Sequence, residues 1–160
     1  MVSKRLTNGK GVSIINKIDE ILKQYPYITE DIQKYQNELN RYIELQKEAR
    51  NPLKSQVMTG MPHSSGISDQ TFEHVEKIID LYQKEIDKYV NKINELLELK
   101  RKLDKAMLEL SEEEKRIIYL RYDRGLSINK IPYMLKWKCG RDKVYKIMGE
   151  AQEKIKKIIL

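Results

Sequence analysis

The chain contains little cysteine, glycine and proline, and it has no long apolar run. A single cysteine among 160 residues excludes an internal disulfide framework and a cysteine-rich zinc site. Seven glycines and four prolines are too few for a turn-rich β-sandwich, so the composition favours regular helices. No apolar stretch approaches the roughly 18–20 residues that a membrane helix needs, and no charged-then-apolar leader opens the chain. We therefore expect a soluble cytoplasmic protein without a membrane partner.

Charge is abundant, and the positive excess is concentrated near the C-terminus. Charged residues make up 34% of the sequence and hydrophobic residues 40%, which is enough to form a core. Of the net charge of +7, residues 111–160 contribute +6, from 13 basic and 7 acidic side chains. A localised basic surface favours a polyanionic partner, of which nucleic acid is the leading candidate. A solvated basic face without a partner is the alternative.

The N-terminal third predicts a basic arm followed by two helices. Residues 1–11 are rich in Lys, Arg and Gly and are expected to form a flexible arm. Ser13 can cap a short helix that ends at Pro26, because proline disfavours helical geometry in the residue before it. Thr29 can cap a second helix, which the periodicity of its apolar residues extends to about Ala49.

An irregular segment separates these helices from a long heptad pattern. Residues 50–68 mix proline and glycine with polar residues and have no usable period, so they predict a loop that is either functional or disordered. From Asp69 the apolar positions then follow alternating steps of three and four, which is typical of a coiled coil. The seam positions are Phe72, Val75, Ile79, Tyr82, Ile86, Tyr89, Ile93, Leu96, Lys100, Leu103, Met107 and Leu110.

The seam requires a covering partner along its length. A helix over residues 69–110 is roughly 60 Å long at 1.5 Å per residue. The helix before the loop covers only about 33 Å at the same rise. We expect residues 12–110 to form an antiparallel helical hairpin, and a homodimer to form through the uncovered part of the 69–110 helix.

Residues 111–160 contain the signals of three short helices. Ser111 and Glu114 have the spacing of a capping box, and the first helix is expected to stop at Gly125, where glycine can adopt left-handed geometry. Ser127 can cap a second helix, and a third helix begins at Arg141. Three short helices of which the last two are joined by a turn predict a helix-turn-helix domain. The expected fold class is therefore all-α, a long helical hairpin followed by this domain.

The last helix has basic side chains near its N-terminus, where a recognition helix in the major groove contacts base edges. The Arg and Lys side chains can donate to guanine, and Tyr145 can pack on a thymine methyl group or bond a phosphate. The predicted base-reading residues are Arg141, Asp142, Lys143, Tyr145 and Lys146. The preceding helix crosses the DNA backbone in such domains, which assigns phosphate contacts to Ser127, Asn129, Lys130 and Lys138.

These residues carry a family resemblance. The segment LSEEEKRIIYLRYDRGLSINKIPYML, with KVYKIMGEAQEKI after it, resembles region 4 of the sigma-70 family, which reads the −35 promoter element. The run TGMPHSSGISDQT, followed by the heptad helix and this C-terminal unit, is similar to phage-encoded transcriptional regulators of the ArpU/RinA type. The resemblance covers roughly residues 59–155. It implies an activator of phage genes that binds double-stranded DNA near a promoter in a bacterial host, with host RNA polymerase as a candidate second partner.

On this resemblance, the positions of the recognition helix are matched by Arg141, Asp142, Lys143 and Lys146, and the cap of the helix before it by Ser127. The sequence departs from the sigma pattern at two places. Val144 lies nine residues after Leu135, where the pattern has seven, so the turn is longer. Pro132 stands where the family usually has a small residue, and it predicts that the helix over 127–135 is short or bent.

Little in the sequence indicates an enzyme, and no cofactor or metal is expected. His63 falls in the irregular loop and His74 on the exposed side of a helix, and no set of ligands has metal spacing. No glycine-rich phosphate loop or nucleophile elbow is present. Cys139 lies beside basic residues and a helix N-terminus, but a lone cysteine without a nearby base is more often incidental.

Two alternatives to a transcriptional regulator remain open. One is a phage small terminase subunit, a DNA-packaging recognition protein that also combines a helix-turn-helix with helical oligomerisation elements. Such subunits form large rings, so solution mass separates them from a monomeric or dimeric regulator. The other is a helical protein that binds RNA polymerase without reading DNA, which predicts weak promoter binding that is insensitive to sequence.

Overall fold

The fold is all-α, as the sequence predicts. A computed structural model describes residues 9–55, 69–136 and 138–160, and these residues contain helices and no β-strand. The helices are α1 (Gly9–Gln24), α2 (Ile28–Ser55), α3 (Asp69–Leu108), α4 (Glu112–Ile118), α5 (Ile131–Met134) and α6 (Arg141–Ile159). A 3-10 turn over Tyr25–Tyr27 joins α1 to α2, and a π-helical turn over Tyr119–Asp123 continues α4. Predictions for residues 1–8 and 56–68, which include His63, lie outside the described residues, as does Trp137.

The chain divides into two compact units whose boundaries differ from the predicted ones. One unit is Thr29–Leu97, and the other combines α1 with Glu98–Leu160. The pattern of the sequence instead predicts a hairpin over residues 12–110 and a separate domain over 111–160. The difference arises because α1 packs on α6 and on the π-helical turn, contacts that span most of the sequence and have no local signature.

The unit Thr29–Leu97 contains the predicted antiparallel hairpin. The ring centroids of Tyr35 and Tyr89 lie 6.1 Å apart, and the amide of Gln46 donates to Gln83 Oε1 at 2.9 Å. Residue numbers therefore rise along α2 as they fall along α3, which is the arrangement of antiparallel neighbours. The amide of Gln46 also reaches the carbonyl of Ile79, at 3.4 Å.

The heptad seam of α3 is the sheltered face of the helix. All the seam positions from Val75 to Met107, and Leu110 just beyond the helix, are buried or half-buried. The most deeply buried are Ile93, Leu96, Leu103 and Leu110. Several apolar residues of α3 that lie off the seam, such as Leu81 and Leu97, are exposed, whereas Ala106 beside the seam is buried. The predicted seam is thus confirmed over the part of α3 whose side chains are described.

The second unit is built around α6. This helix packs against α1, α4 and α5, and its buried side chains join those of the other elements in one core. The members of this core cluster are Ile117, Leu120, Ile131, Val144 and Ile147. The predicted capping box is present: the Glu114 amide donates to Ser111 Oγ at 3.3 Å, and the Ser111 amide donates to Glu114 Oε2 at 2.7 Å. The predicted left-handed residue is also confirmed, because Gly125 has φ +64°.

Two predicted helix caps are wrong. Ser13 lies inside α1, whose backbone is helical from Gly9. Thr29 lies inside α2, because the 3-10 turn leads directly into that helix and the Ile28 amide donates to the Tyr25 carbonyl. No extended cap residue is therefore needed between the two helices. In addition, α2 continues past the predicted end to Ser55.

The second helix of the C-terminal segment is shorter than the span 127–135 and is not capped by the Ser127 side chain. The Ser127 carbonyl instead accepts from the amides of Lys130 at 2.9 Å and Ile131 at 3.3 Å, and α5 begins only at Ile131. Pro132 explains the late start, since a proline lacks an amide proton and is tolerated only in the first turn of a helix. The predicted shortening is confirmed.

Candidate nucleic-acid interface

The burial of α6 fixes which of its side chains face solvent. Val144, Ile147, Ala151 and Ile155 are buried, so one stripe of the helix lies against the core. The side chains outside this stripe in the first turns are exposed, and they are the predicted base-reading residues Arg141, Asp142, Lys143, Tyr145 and Lys146. The fold therefore leaves this set available to a partner.

Positive charge accumulates on the surface that leads into α6. Between Ser127 and Lys146 the sequence has six basic residues and one acidic residue, and all seven side chains are exposed. Within the described part of this stretch, the only ion pair joins Arg141 Nε to Asp142 Oδ1 at 3.9 Å. An exposed pair at this distance contributes little. The other cations of the stretch are Lys130, Lys136, Lys138, Lys143 and Lys146.

The structure brings some of the predicted site residues together. Asn129 lies with Arg141 and Asp142 around an open concavity of about 590 Å³ between α5 and the start of α6. Lys138 lines the neighbouring concavity together with Lys136. One predicted phosphate residue is therefore next to two predicted base-reading residues.

Other predicted site residues lie apart from these concavities. Ser127 and Lys130 are exposed in the turn before α5, and they line neither concavity. Lys143, Tyr145 and Lys146 also line neither concavity. Tyr145 and Lys146 lie one turn after Arg141 and Asp142 on the same side of α6, whereas Lys143 points away from Arg141. The predicted set thus spreads over the turn and around the N-terminal half of α6.

The N-terminus of α6 has no side-chain cap within the described residues. Its N-cap is Gly140, with φ −82° and ψ 166°, and the glycine offers no side-chain oxygen to the first amides. The first amides of a helix lack partners in the helix and carry a partial positive charge. The start of α6 therefore adds to the positive potential of Lys138 and Arg141.

One exposed residue of this surface is absent from the predicted set. Tyr133, on α5, is 88% exposed and lines both concavities. The signal was available, because the inward positions Ile128, Ile131 and Leu135 leave position 133 on the outer side. Ile131 is buried, and the other two pack against the same core.

Two polar contacts, on opposite sides of α6, join the C-terminal half of this helix to neighbouring elements. On one flank Lys154 Nζ donates to Glu114 Oε2 at 2.8 Å. On the other, Gln152 Nε2 donates to the Tyr122 hydroxyl oxygen at 2.9 Å, and that hydroxyl donates to Asp19 Oδ1 at 2.7 Å. Asp19 also pairs with Lys23 on α1. These contacts link α6 to the N-terminal end of α4, to the π-helical turn and to α1.

The chemistry of these groups fixes the direction of the hydrogen bonds, because an ionised carboxylate can only accept and the Tyr122 hydroxyl therefore donates to Asp19. Burial raises the pKa of Tyr122, and the neighbouring Asp19 raises it further. Burial also raises the pKa of Asp19, but hydrogen bonds from Lys23 and Tyr122 outweigh it and lower the pKa below its usual value. The pKa of Glu114 is lowered in the same way, with burial outweighed by the bonds from Lys154 and Ser111.

The described residues offer no candidate metal centre. These residues contain no group of three or more His, Cys, Asp or Glu side chains that could hold a metal ion. His74 is exposed, as predicted. Cys139 is half-buried beside the core of the second unit, and its thiol lies 3.6 Å from the Gly140 carbonyl oxygen. No helix in the described parts of the chain is both long and apolar enough to span a membrane.

Comparison of the chain with protein-family models, with curated proteins and with solved structures gives no match. A functional assignment therefore depends on the geometry and charge of the surface itself.

Proposed function

We propose that the protein is a sequence-specific regulator of transcription that binds double-stranded DNA through α6 and acts near a promoter. The observation that supports this most is the run of exposed cations from Lys130 to Lys146, with one carboxylate among them. Fixed positive charge on one surface favours the phosphates of a duplex. In this proposal α5 and α6 serve as the two helices of a helix-turn-helix, with α5 reduced to a single turn.

The base-reading role falls to the first turns of α6. The major groove of B-DNA is about 12 Å wide, which admits an α-helix whose N-terminal side chains contact the base edges. Arg141 and Lys143 are hydrogen-bond donors suited to guanine, and Asp142 is an acceptor suited to cytosine. Tyr145 is half exposed and supplies a ring for a thymine methyl group.

The phosphate role falls to side chains that flank this helix. Asn129 and Lys138 line the concavities beside the start of α6, and Lys130 and Ser127 lie in the turn before α5. Contacts of this kind set the register of a protein on the duplex and carry no base information of their own. The uncapped start of α6 suits a further phosphate.

The test is a selection of bound duplexes from a random DNA pool, followed by binding measurements on variants. Arg141→Ala or Lys143→Ala is expected to cost about 1–3 kcal/mol on the selected site and to relax the base preference. Lys138→Ala is expected to weaken selected and random duplexes alike, because a phosphate contact is independent of sequence. Lys157→Ala, which removes an exposed cation from the last turn of α6, is the matched control and should change neither.

Retention of full affinity and base preference after loss of both Arg141 and Lys143 would contradict the assignment of α6. Weak binding that is equal for all sequences would instead favour the helical polymerase-interacting protein. Activation of transcription and contact with host RNA polymerase belong to the same proposal. They are tested by transcription assays on a promoter that carries the selected site.

A further inference from the structure

The two polar contacts on the C-terminal half of α6 together restrict its rotation. Gln152 and Lys154 are two residues apart, so their side chains leave the helix about 200° from each other around its axis. Gln152 is held through Tyr122 by Asp19 on α1, and Lys154 is held by Glu114 on α4. A rotation of α6 about its axis that shortens one contact therefore stretches the other.

The first of these contacts has a fixed hydrogen-bond direction. The protonated Tyr122 hydroxyl donates its only proton to the Asp19 carboxylate, so its oxygen is free to accept from the Gln152 amide. The amide group of Gln152 can satisfy this contact in one orientation only. Asp19 thus determines how the side chain of Gln152 is oriented, although it lies on α1, 103 positions before Tyr122 in the chain.

A small tilt of α6 about Gln152 produces a larger displacement at the start of the helix. The helical rise from Arg141 to Gln152 is about 16 Å, so a tilt of about 10° about Gln152 moves Arg141 by about 3 Å. Binding groups have to be held within about 0.5 Å and about 10–20° of their working geometry. Ile18 of α1 lies beside Gly149, Gln152 and Lys156 of α6, at a distance along the helix from Arg141.

From these contacts we propose that Asp19 is a positioning residue for the duplex-reading end of α6, acting through Tyr122 and Gln152. The inference rests on the proposed function, because it assigns a role in reading DNA. The reading unit then consists of α1 together with the C-terminal helices, rather than of residues 111–160 alone. Asp19 touches no DNA in this arrangement.

The test compares two chemically identical changes in the π-helical turn. Tyr122→Phe removes the buried hydroxyl and leaves the ring, whereas Tyr119→Phe removes a hydroxyl from an exposed ring of the same turn. With both variants folded, Tyr122→Phe is expected to weaken binding to the selected duplex about five- to tenfold while binding to random DNA is unchanged. Tyr119→Phe is expected to change neither affinity.

Substitutions of Asp19 add a rescue test. Asp19→Asn keeps an oxygen that accepts from Tyr122 and should retain most of the preference for the selected duplex. Asp19→Leu removes the acceptor and should behave as Tyr122→Phe. A merely structural role predicts a lower melting temperature for Asp19→Leu and Tyr122→Phe, with the ratio of selected to random affinity unchanged. That outcome would overturn the proposal.

A measurement without DNA separates this inference from the proposed function. Spin labels at Lys17→Cys on α1 and Lys146→Cys on α6, in a Cys139→Ala background, report the distance between the two helices by pulsed electron–electron resonance. The distribution is expected to broaden or shift with Tyr122→Phe and to stay unchanged with Tyr119→Phe. An unchanged distribution in both overturns the positioning role even if the protein binds DNA. A protein that fails to select any duplex overturns the proposed function and leaves this readout to decide positioning.

Discussion

At the scale of single residues, Glu114 combines two roles in one buried carboxylate. It completes the capping box of α4 by accepting from the Ser111 amide, and it accepts from Lys154 on α6. Its side chain is 5% exposed, whereas Lys154 is 46% exposed. Removal of Lys154 alone leaves the buried carboxylate of Glu114 without one of its hydrogen-bond donors. The desolvation penalty of this loss falls on Glu114, because the Lys154 ammonium is partly exposed to water.

This pair predicts a pH dependence of stability. The pKa of Glu114 is lower in the folded chain than its usual value of 4.5, so its contribution is fully present above about pH 4.5 and is lost as the pH falls through the folded pKa. Glu114→Gln is expected to lower the free energy of unfolding at pH 7 by about 1–3 kcal/mol and to flatten its decline in acid. Urea unfolding at a series of pH values measures both effects.

The matched control is Glu113→Gln, an exposed carboxylate one residue away, which should leave the pH profile unchanged. Some acid dependence is expected to persist in Glu114→Gln, because the pKa values of Asp19 and Asp104 are also lowered. Identical pH profiles for the wild type and Glu114→Gln would mean that the carboxylate is not held in the way the structure describes.

At the scale of elements, the heptad seam is what associates α2 with α3. Ile93 is buried and Ile86 is half-buried on the seam. Ile86→Asp combined with Ile93→Asp places two charges where the hairpin excludes water, and it is expected to unfold the hairpin, since an uncompensated buried charge costs about 3–5 kcal/mol. Circular dichroism should report a loss of helix.

The control replaces two aliphatic residues of the same helix that are exposed. Leu81→Asp combined with Val90→Asp makes the same chemical change at positions that are 59% and 39% exposed, and it should leave the helical content nearly intact. If both double variants lost helix equally, the seam would not be the stabilising face.

The elements differ in how much of them the sequence could predict. Local patterns gave the heptad seam, the Ser111–Glu114 capping box and the stop at Gly125, because a helical period, a cap and a left-handed glycine each depend on residues a few positions apart. The cap at Thr29 failed for an equally local reason, a 3-10 turn that runs straight into α2. Helix caps depend on the backbone geometry of a single residue, which composition does not determine.

The contacts that assemble the second unit could not be predicted in the same way. Asp19 and Tyr122 are polar residues with no periodicity that links them, and their pairing follows from how α1 packs on the C-terminal helices. For the candidate site, helical periodicity was enough to place Arg141, Asp142, Lys143, Tyr145 and Lys146 outside the buried stripe of α6. It was not enough to bring Asn129 beside Arg141, since that depends on the shortened α5.

At the scale of the whole molecule, the homodimer through the 69–110 helix stays a prediction. Its premise is that part of the seam is not covered by residues of the same chain. In the structure the described seam positions from Val75 to Leu110 are already buried or half-buried. Solution mass tests the point, and it also separates a monomer or dimer from the ring expected of a small terminase subunit.

The distribution of charge over the whole chain predicts how the affinity for DNA depends on salt concentration. Most of the excess lies in residues 111–160, and the exposed cations between Ser127 and Lys146 include those assigned to DNA. Each phosphate that is neutralised releases counterions and adds about 0.9 to the magnitude of the slope of log affinity against log salt. Phosphate contacts from Lys130 and Lys138 alone give a slope with a magnitude of about 2, and contacts from all six basic residues of the stretch would raise it to about 5.

Single charge removals then locate the contact surface. Lys138→Ala is expected to reduce the magnitude of the slope by about 0.9. The control is Lys88→Ala in the hairpin unit, which removes an equally exposed cation that is already paired with Glu85 at 3.0 Å, and the slope should not change. An equal reduction in both variants would mean that the duplex is bound by the chain's overall charge rather than by the surface around α6. Affinities that are independent of salt would exclude a phosphate-based interface altogether.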